Sequence, residues 1–469
     1  MNHQVSMSIL AGALAVALVP GPAAAQAQPE RTGSPPPTTE AQPSGTASAP
    51  KPEGQASGPP PAPKAEAQPS GAATAQAKDL IEAIGGGKLL LELRPRYEFV
   101  DQANKPENAN AFTLRTLLGW QTKPWYGFQG VVQFLNVANL DGDEYNPNPA
   151  ITNLLYPTVA DPNNTDVPQL YLDYVGFDKT SIKWGRQISK LNNLRAVGDV
   201  NFRQTPQTFE AISVGTTILP NASIYGAYYW RQLTTVGTQK EMKTPVFNVR
   251  YSFLPNENII GYGVFQDQAN TGQNTGATGT GFSDNSNQIL GIRLDGAHPF
   301  AEKWKALYTA EYATQSDYAD GNAAIDADYY HLALGAQYGP FYGRVHQERL
   351  SSNNGLYGYQ TPLATLHIFQ GWADVFTTTP KQGLVDTYLS GGATVLDKLQ
   401  IYGEYHWFDS DFGSIDFGSE LDLSVSYPLY KGLVGKLEYA GYRAGDPPSA
   451  ATGNRVDVTK FWVTLTYTY

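Results

Sequence analysis

The sequence predicts an all-β fold, a transmembrane antiparallel β-barrel with 18 strands, or with 16 as the alternative. Three observations lead to it. Apolar and polar residues alternate strictly in segments such as 456–469, about eighteen such segments lie between residues 88 and 469, and the connections between them have two distinct lengths. A soluble sandwich uses the same alternation, but the uneven connections and an N-terminal secretion signal favour a barrel in the outer membrane of a Gram-negative bacterium.

The C-terminal segment shows the alternation most clearly. Its sequence, VDVTKFWVTLTYTY, has a period of two, which is the period of a β-strand. One face carries Phe461, Val463, Leu465, Tyr467 and Tyr469, and the other carries Lys460, Trp462, Thr464, Thr466 and Thr468. In a barrel strand, the apolar face contacts lipid and the polar face lines the lumen.

The composition excludes several classes of protein. The mean hydropathy is −0.35, and outside the N-terminus no run of 18 apolar residues occurs, so spanning helices are excluded. The net charge of −11 makes nucleic acid an unsuitable partner, and the absence of cysteine removes disulfides, thiol catalysis and zinc–thiolate sites. The 29 tyrosines and 8 tryptophans concentrate near predicted strand ends, as in the aromatic girdles of membrane barrels.

The N-terminal part divides into two segments before the barrel domain at 88–469. Residues 1–25 form a signal peptide, with an apolar core at Ile9–Val19 and cleavage after Ala25. Residues 26–87 form a Pro/Ala/Ser/Gln-rich arm, which is expected to be disordered in the periplasm, with one helical turn at Asp79–Ile84. The arm is either a passive spacer or a docking peptide whose periplasmic partner is unidentified.

Short and long connections alternate along the barrel domain. Eight short turns are predicted at 123–127, 178–180, 219–221, 254–258, 298–303, 339–340, 396–398 and 428–432. Nine long polar loops are predicted at 101–110, 140–167, 189–206, 233–243, 268–286, 316–328, 350–383, 409–417 and 443–456. This alternation gives an even number of strands and places both ends of the domain on the short-turn side, which is the periplasmic side in bacterial barrels.

The same alternation assigns charged side chains to the lumen. A charge at the lipid midplane costs about 2–4 kcal/mol, so the charged face of each strand is expected to point inward. The candidate pore and selectivity residues are Arg94, Arg96, Arg115, Lys183, Arg250, Arg293, Arg344, Glu404 and Lys436. Two interpretations stay open: a network of mutually neutralising pairs in the barrel wall, or a series of charges that steers a charged solute.

The loop at 350–383 is the candidate constriction. A loop of this length is rarely without function, and this one contains the apolar residues Leu363, Phe369, Trp372 and Phe376. They favour a loop that folds inward or packs on a wall. The alternatives are a constriction inside the pore and a packed extracellular cap.

Two sequence blocks resemble a known family. The first consists of WGRQ at Trp184–Gln187 and FRQTPQTFEA at Phe202–Ala211, and the second is Gly358–Leu389. With the strand count, they resemble the alginate export family of outer-membrane porins, over roughly residues 88–469. The resemblance implies an eighteen-stranded porin with an arginine-lined constriction for an anionic polysaccharide. Carried onto this chain, it assigns Arg186 and Arg203 to that constriction, with Arg195 in the loop between them.

The predicted function is passive outer-membrane transport of a polar, anionic solute, either a uronate polysaccharide or small organic anions. No cofactor, metal site or catalytic residue is expected, because the histidines are scattered and no nucleophile motif occurs. The expected partners are outer-membrane lipid, lipopolysaccharide and the solute. The alternatives are a structural or adhesive barrel with a closed lumen and, less favoured, a barrel lipase or protease.

Overall fold

The structure, a computed structural model, describes residues 76–149, 153–267, 282, 284–447 and 455–469. The predicted signal peptide and residues 26–75 of the predicted arm therefore lie outside the described residues. Among the described residues, no helix is long and apolar enough to cross a membrane. One short helix, α1 (Leu80–Gly85), precedes the strands, and the Asp79 side chain caps it by accepting a hydrogen bond from the Glu82 N–H, as the predicted helical turn requires.

Eighteen long strands form the barrel, and two short strands lie in one of its loops. In chain order the strands are β1 (Lys88–Gln102), β2 (Ala109–Gln121), β3 (Phe128–Asn139), β4 (Asn164–Tyr174), β5 (Thr180–Gln187), β6 (Thr208–Thr216), β7 (Ala222–Leu233), β8 (Gln239–Leu254), β9 (Glu257–Gln266), β10 (Asn287–Ala301), β11 (Trp304–Asp317), β12 (Asp326–Tyr338), β13 (Phe341–Leu350), β14 (Ser352–Asn353), β15 (Tyr357–Gly358), β16 (Leu384–Val395), β17 (Leu399–Asp409), β18 (Asp416–Tyr430), β19 (Leu433–Arg443) and β20 (Val458–Thr468).

Each long strand pairs antiparallel with the next one along the chain, and β20 pairs back onto β1, which closes the sheet. The strands β14 and β15 form a separate two-stranded ladder. The prediction of an 18-stranded antiparallel barrel is confirmed, and the alternative of 16 strands is wrong. The eight predicted short turns and nine predicted long loops fall between these strands in the expected alternating order.

Side chains alternate between an exposed apolar face and a buried polar face. In β12, Leu332 and Leu334 are exposed while His331 and Ala333 are buried. Large apolar side chains are exposed in the same way on most of the barrel strands. Because a closed barrel buries every backbone hydrogen bond inside the sheet, such an apolar outer face is suited to a hydrocarbon environment.

Aromatic side chains surround the short-turn end of the barrel. Trp304 and Tyr338 stand on paired strands with ring centroids 4.8 Å apart, and Phe300 and Phe341 are exposed at the same end. Their position agrees with the predicted girdle at a membrane–water interface. Helix α1 lies at this end too, since the Lys123 amide of the β2–β3 turn donates to its Ala83 carbonyl at 2.9 Å.

The buried cluster of apolar residues lies inside the barrel. It combines wall residues such as Tyr402 and Trp462 with loop residues such as Val197, Leu363 and Trp372. Two loops supply most of the buried loop residues, and both are described below as the β5–β6 loop (residues 188–207) and the β13–β16 loop (residues 351–383). The lumen is therefore partly filled by the chain's own loops.

The outward-facing leucines of β12 allow a test of which barrel face contacts lipid. We expect Leu332→Arg, at the middle of β12, to lower the free energy of unfolding in lipid vesicles by about 2–4 kcal/mol, because it places a charge at the hydrocarbon midplane. Leu356→Arg is the matched control, since Leu356 is similarly exposed but lies in the β14–β15 connection. Urea titration of the folded band would measure both variants, and equal losses would contradict the assignment of the outer face.

Candidate functional site

The β5–β6 loop folds into the lumen and is held there by Arg94 of β1. The Arg94 guanidinium donates to the backbone carbonyls of Asn201 at 2.7 Å and of Arg203 at 2.5 Å, and its Nε donates to the Gln204 side chain at 3.0 Å. Arg94 is buried, so its donors are satisfied by the loop rather than by water. Arg94, predicted to be a selectivity residue, acts here as an anchor for the loop.

Two neighbouring arginines hold the same loop. Arg96 of β1 donates to the Phe202 carbonyl and forms an ion pair with Asp161 of the β3–β4 loop. Arg115 of β2 donates to the side chain of Asn201 at 2.6 Å. Three inward arginines on two adjacent strands thus fix the loop against one wall of the barrel.

The β13–β16 loop also folds inward and attaches to β18. The Ala373 amide donates to the Glu420 carboxylate at 2.6 Å, and the Trp372 amide donates to the Asp422 carboxylate at 3.2 Å. Further along the loop, the ring of Phe376 packs 4.6 Å from that of Phe408 on β17. Of the two predicted alternatives for this loop, the structure shows the one inside the barrel.

The two loops meet each other inside the lumen. The Gly198 amide donates to the Leu363 carbonyl at 2.9 Å, and Phe202 stacks on His367 with ring centroids 3.3 Å apart. At Gly198 a Cβ atom would lie 2.2 Å from the Thr365 hydroxyl, so only glycine permits this close approach. The loops form a joint plug, and the predicted constriction residues Leu363, Phe369, Trp372 and Phe376 all belong to it.

Two arginines of the β5–β6 loop contact residues of the β13–β16 loop. Arg195 pairs with Glu348 of β13, donates to Gln370 at 2.8 Å and lies 3.6 Å above the Phe369 ring. Arg203 pairs with Asp374 at 3.0 Å. Both arginines were predicted as pore residues, and the structure places both at the interface between the loops.

Asp374 is the centre of this interface. Its carboxylate contacts Arg203 at 3.0 Å, Lys460 of β20 at 2.8 Å and His367 at 2.9 Å. Burial opposes its charge, but Lys460, His367 and Arg203 together hold the pKa of Asp374 well below its ordinary value. The carboxylate therefore stays ionised and joins both loops to the barrel wall.

A cavity that opens to solvent lies between the plug and the short-turn end of the barrel. It reaches from Gly432, in the β18–β19 turn, to Asn201 and Phe202 of the β5–β6 loop. Four basic and two acidic side chains line it, which gives a net charge of +2: Arg94, Arg96, Arg115, Lys436, Glu92 and Glu438. Four of the predicted lumen residues are thus brought together at one site.

Arg186 and Lys183 of β5 lie apart from this cavity. Arg186 bridges Asp166 at 3.1 Å and Glu210 at 2.9 Å, and Lys183 lies 5.0 Å from the Tyr171 ring. Gly185, between them, has a φ of +127° and approaches the β4 backbone closely, which explains the glycine in WGRQ.

The other predicted arginines belong to a different part of the wall, on β8 to β13. Arg293 pairs with Glu311 at 2.5 Å and with Asp295 at 3.3 Å. Arg344 donates to Thr309 at 2.9 Å, and Arg250 is buried on β8. Arg293 fits the interpretation of a neutralising wall network, whereas Arg344 and Arg250 make no ion pair among the described residues.

Several residues of the plug were missed by the sequence analysis. Asp374, Lys460 and Asn201 carry no motif, and only the folded positions of the loops bring them to the site. The sequence also showed no metal-binding set, whereas the structure places donor atoms of Glu404, His406 and Asp422 within 4.8 Å of one another. Of these three, Glu404 belongs to the candidate pore and selectivity residues.

Comparisons with known proteins give matches at the level of structure. No protein-family model and no curated protein sequence matches the chain. Among solved structures, it is similar to Pseudomonas aeruginosa OpdL (14% identity, TM-score 0.61, covering 82% of this chain and 99% of that one) and Acinetobacter baumannii OccAB2 (14%, 0.63, 83% and 99%). It is also similar to Pseudomonas aeruginosa OpdK, solved with vanillate (13%, 0.62, 82% and 99%).

These similarities support the fold, a closed antiparallel barrel of 18 strands. The named neighbours are Opd and Occ proteins rather than alginate exporters. The barrel architecture that the resemblance implied is therefore found. These neighbours do not support alginate as the transported solute.

The position of Asp374 gives a test of the plug. We expect Asp374→Asn to weaken docking of the β13–β16 loop by about 3 kcal/mol or more, because Lys460 then keeps a buried charge without a carboxylate and Arg203 loses its link to this loop. Hydrogen exchange at the Trp372 and Ala373 amides should become faster. Asp397→Asn, in an exposed β16–β17 turn, is the control, and unchanged exchange in the Asp374 variant would show that the contact is dispensable.

His367 gives the plug a pH dependence. Burial lowers its pKa from the usual value of 6.5, so the ring is neutral when the loop is docked at pH 7. Undocked His367 binds a proton more readily, so docking is complete above about pH 6.5 and weakens as the pH falls below that value. We expect loop amides, corrected for intrinsic rates, to exchange faster at pH 5.5 than at pH 7.5, and His367→Gln to remove this difference.

Proposed function

We propose that this chain is an outer-membrane porin of a Gram-negative bacterium that passes small organic anions by passive diffusion. The observation that carries the proposal is the cavity of net charge +2 that ends at the plug. The barrel fold and its apolar outer face support a location in the outer membrane.

The charge of the cavity supports anions as the solute. The whole chain has a net charge of −11, so a basic cavity is a local departure from its average. Lys436 is the most exposed cation there, since its side chain stays 15% exposed beside its partner Glu438 at 2.7 Å, whereas Arg94, Arg96 and Arg115 are almost entirely buried in contacts with the loop. A ring of fixed positive charge at a narrowing raises the local concentration of anions.

The plug supports a small solute over a polymer. The contacts of Gly198 with Leu363 and of Phe202 with His367 occupy lumen space that an extended polysaccharide would need. The similar OpdK barrel was solved with vanillate, which is a small aromatic carboxylate. A small carboxylate also matches the bidentate geometry of arginine and the point charge of lysine.

Export of a uronate polysaccharide is the second candidate, and it rests on Arg186 and Arg203. Both arginines already make ion pairs: Arg186 with Asp166 and Glu210, and Arg203 with Glu98, Asp161 and Asp374. A polymer could use them only after the plug has moved. For this reason the small anion is the favoured cargo.

Planar-bilayer conductance of the purified protein tests the function. We expect discrete open channels with anion preference in a salt gradient, and block by small aromatic carboxylates. Block by uronate oligomers alone would favour the polysaccharide exporter. Cation preference would remove the anion proposal, and the absence of conductance would support a closed structural or adhesive barrel.

Lys436 provides the residue-level test of selectivity. One unit charge about 7 Å from an ion in water favours an anion and disfavours a cation by about 0.6 kcal/mol each, so Lys436→Gln should lower the anion-to-cation permeability ratio roughly seven-fold. Lys398→Gln removes the same charge from an exposed turn and serves as the control. Equal reversal potentials for the two variants would exclude Lys436 from the conduction path.

A further inference from the structure

Three potential metal ligands converge on the inner face of β17 and β18. Glu404 and Asp422 are direct partners in the β17–β18 register, and His406 follows Glu404 on the same face. The His406 Nε2 atom lies 3.4 Å from a Glu404 carboxylate oxygen and 3.7 Å from an Asp422 carboxylate oxygen. All three donor atoms lie within 4.8 Å of one another.

We propose that Glu404, His406 and Asp422 bind one Zn²⁺ ion inside the barrel. Zinc binds imidazole nitrogen and carboxylate oxygen at about 2.0–2.1 Å in a tetrahedral arrangement, in which neighbouring ligand atoms stand about 3.3–3.4 Å apart. The observed separations of 3.4 and 3.7 Å are close to that spacing. One imidazole in the set favours zinc over calcium or magnesium, which select oxygen ligands.

The outer contacts of the three residues match those of a zinc site. The second ring nitrogen of His406, Nδ1, lies 3.0 Å from an oxygen of Asp386, which is the carboxylate–histidine arrangement that orients a metal-binding imidazole. The Tyr402 hydroxyl donates to Glu404, and the Trp372 amide donates to Asp422 at 3.2 Å. Each ligand is therefore held by one partner outside the proposed metal shell.

Independent support comes from unsatisfied charge at the same place. Asp422 is fully buried beside Glu420, and neither Oδ1 of Asp422 nor Oε2 of Glu420 accepts a hydrogen bond from a donor group placed among the described residues. Within the described part of the chain, the ion pairs of Asp386, Glu404 and Asp422 all go to His406. One imidazolium leaves a net negative charge on these groups unless they take up protons, whereas Zn²⁺ replaces the Nε2 proton of His406 and raises the net charge by one unit.

The proposed ion also connects to the plug. Asp422 uses one carboxylate oxygen both toward His406 and as the acceptor for the Trp372 amide of the β13–β16 loop. Removing the metal leaves this carboxylate repelled by Glu404 and Glu420, and the anchor of the loop weakens. Zinc binding is thus expected to stabilise the plug.

The test is a metal titration of the purified full chain in detergent after treatment with a chelator. Co²⁺ serves as the first probe, because tetrahedral cobalt absorbs visible light, and Zn²⁺ then displaces it. We expect one Co²⁺ per chain, displaced by one equivalent of Zn²⁺. His406→Gln and Asp422→Asn should abolish the visible band, and Asp386→Asn should weaken binding roughly 10- to 100-fold.

The control is His346→Gln. His346 is a buried lumen histidine on β13 whose ring contacts Ser390 and stacks on Tyr388, and it lies outside the proposed ligand set. It should bind Co²⁺ like the unaltered chain, and the heat-modified electrophoretic shift verifies that each variant is folded.

Failure of the unaltered chain to bind Co²⁺ or Zn²⁺ overturns the proposal in favour of an imidazolium that pairs with the carboxylates. Equal binding by folded His406→Gln overturns it as well. Neither result depends on conductance, so the metal site and the proposed porin function can fail separately.

Discussion

Closure of the sheet is the constraint on which the rest of the structure depends. A sheet edge in hydrocarbon leaves backbone donors and acceptors without partners, at a cost of several kcal/mol each, so β20 must pair with β1. Closing eighteen strands leaves an interior too wide for wall side chains to fill. The loops must then set the width of the passage, and two of them do so by folding inward.

The contacts that fix the two loops reflect the water-filled interior of the barrel. Contact between apolar surfaces alone would give little orientation inside a polar channel, and both loops are fixed mainly by hydrogen bonds to arginine and carboxyl side chains. Arg94 donates to two backbone carbonyls, while Glu420 and Asp422 each accept a hydrogen bond from a backbone amide. The charge-assisted bonds of Arg94 are roughly twice as strong as neutral ones, and the buried setting prevents water from replacing them. The inward charges therefore support the plug before they can act on a solute.

The sequence was sufficient for the barrel because lipid penalises errors of register. A shift of one residue in β12 would turn His331 outward, so alternation, turns and strand count follow from the pattern. The contacts that the loops make inside the barrel could not be predicted from the sequence pattern. The contact of Arg94 with the Asn201 carbonyl joins residues more than a hundred positions apart and depends on the barrel curvature.

The proposed zinc site was only partly predictable from the sequence. Glu404 and His406 are two residues apart on β17, as are Glu420 and Asp422 on β18, so each pair shares the inward face, a signal that the sequence carries. What the sequence lacks is the β17–β18 register, which sets Glu404 opposite Asp422. A scan for histidine with carboxylate at a spacing of two on neighbouring strands would have found the set.

The two charged regions of the lumen share the inward face of β18. Ser426 lines the basic cavity, and Asp422 lies four residues further along the same inward face of β18, about 13 Å away at the usual rise per residue. An anion that leaves the basic cavity along β18 therefore approaches a group of buried carboxylates. Without a cation, that group repels the anion that the cavity attracts. With a divalent ion bound in place of the His406 Nε2 proton, the net charge of the group rises by one unit and this repulsion decreases, so the proposed metal site makes the acidic wall more compatible with transport of anions.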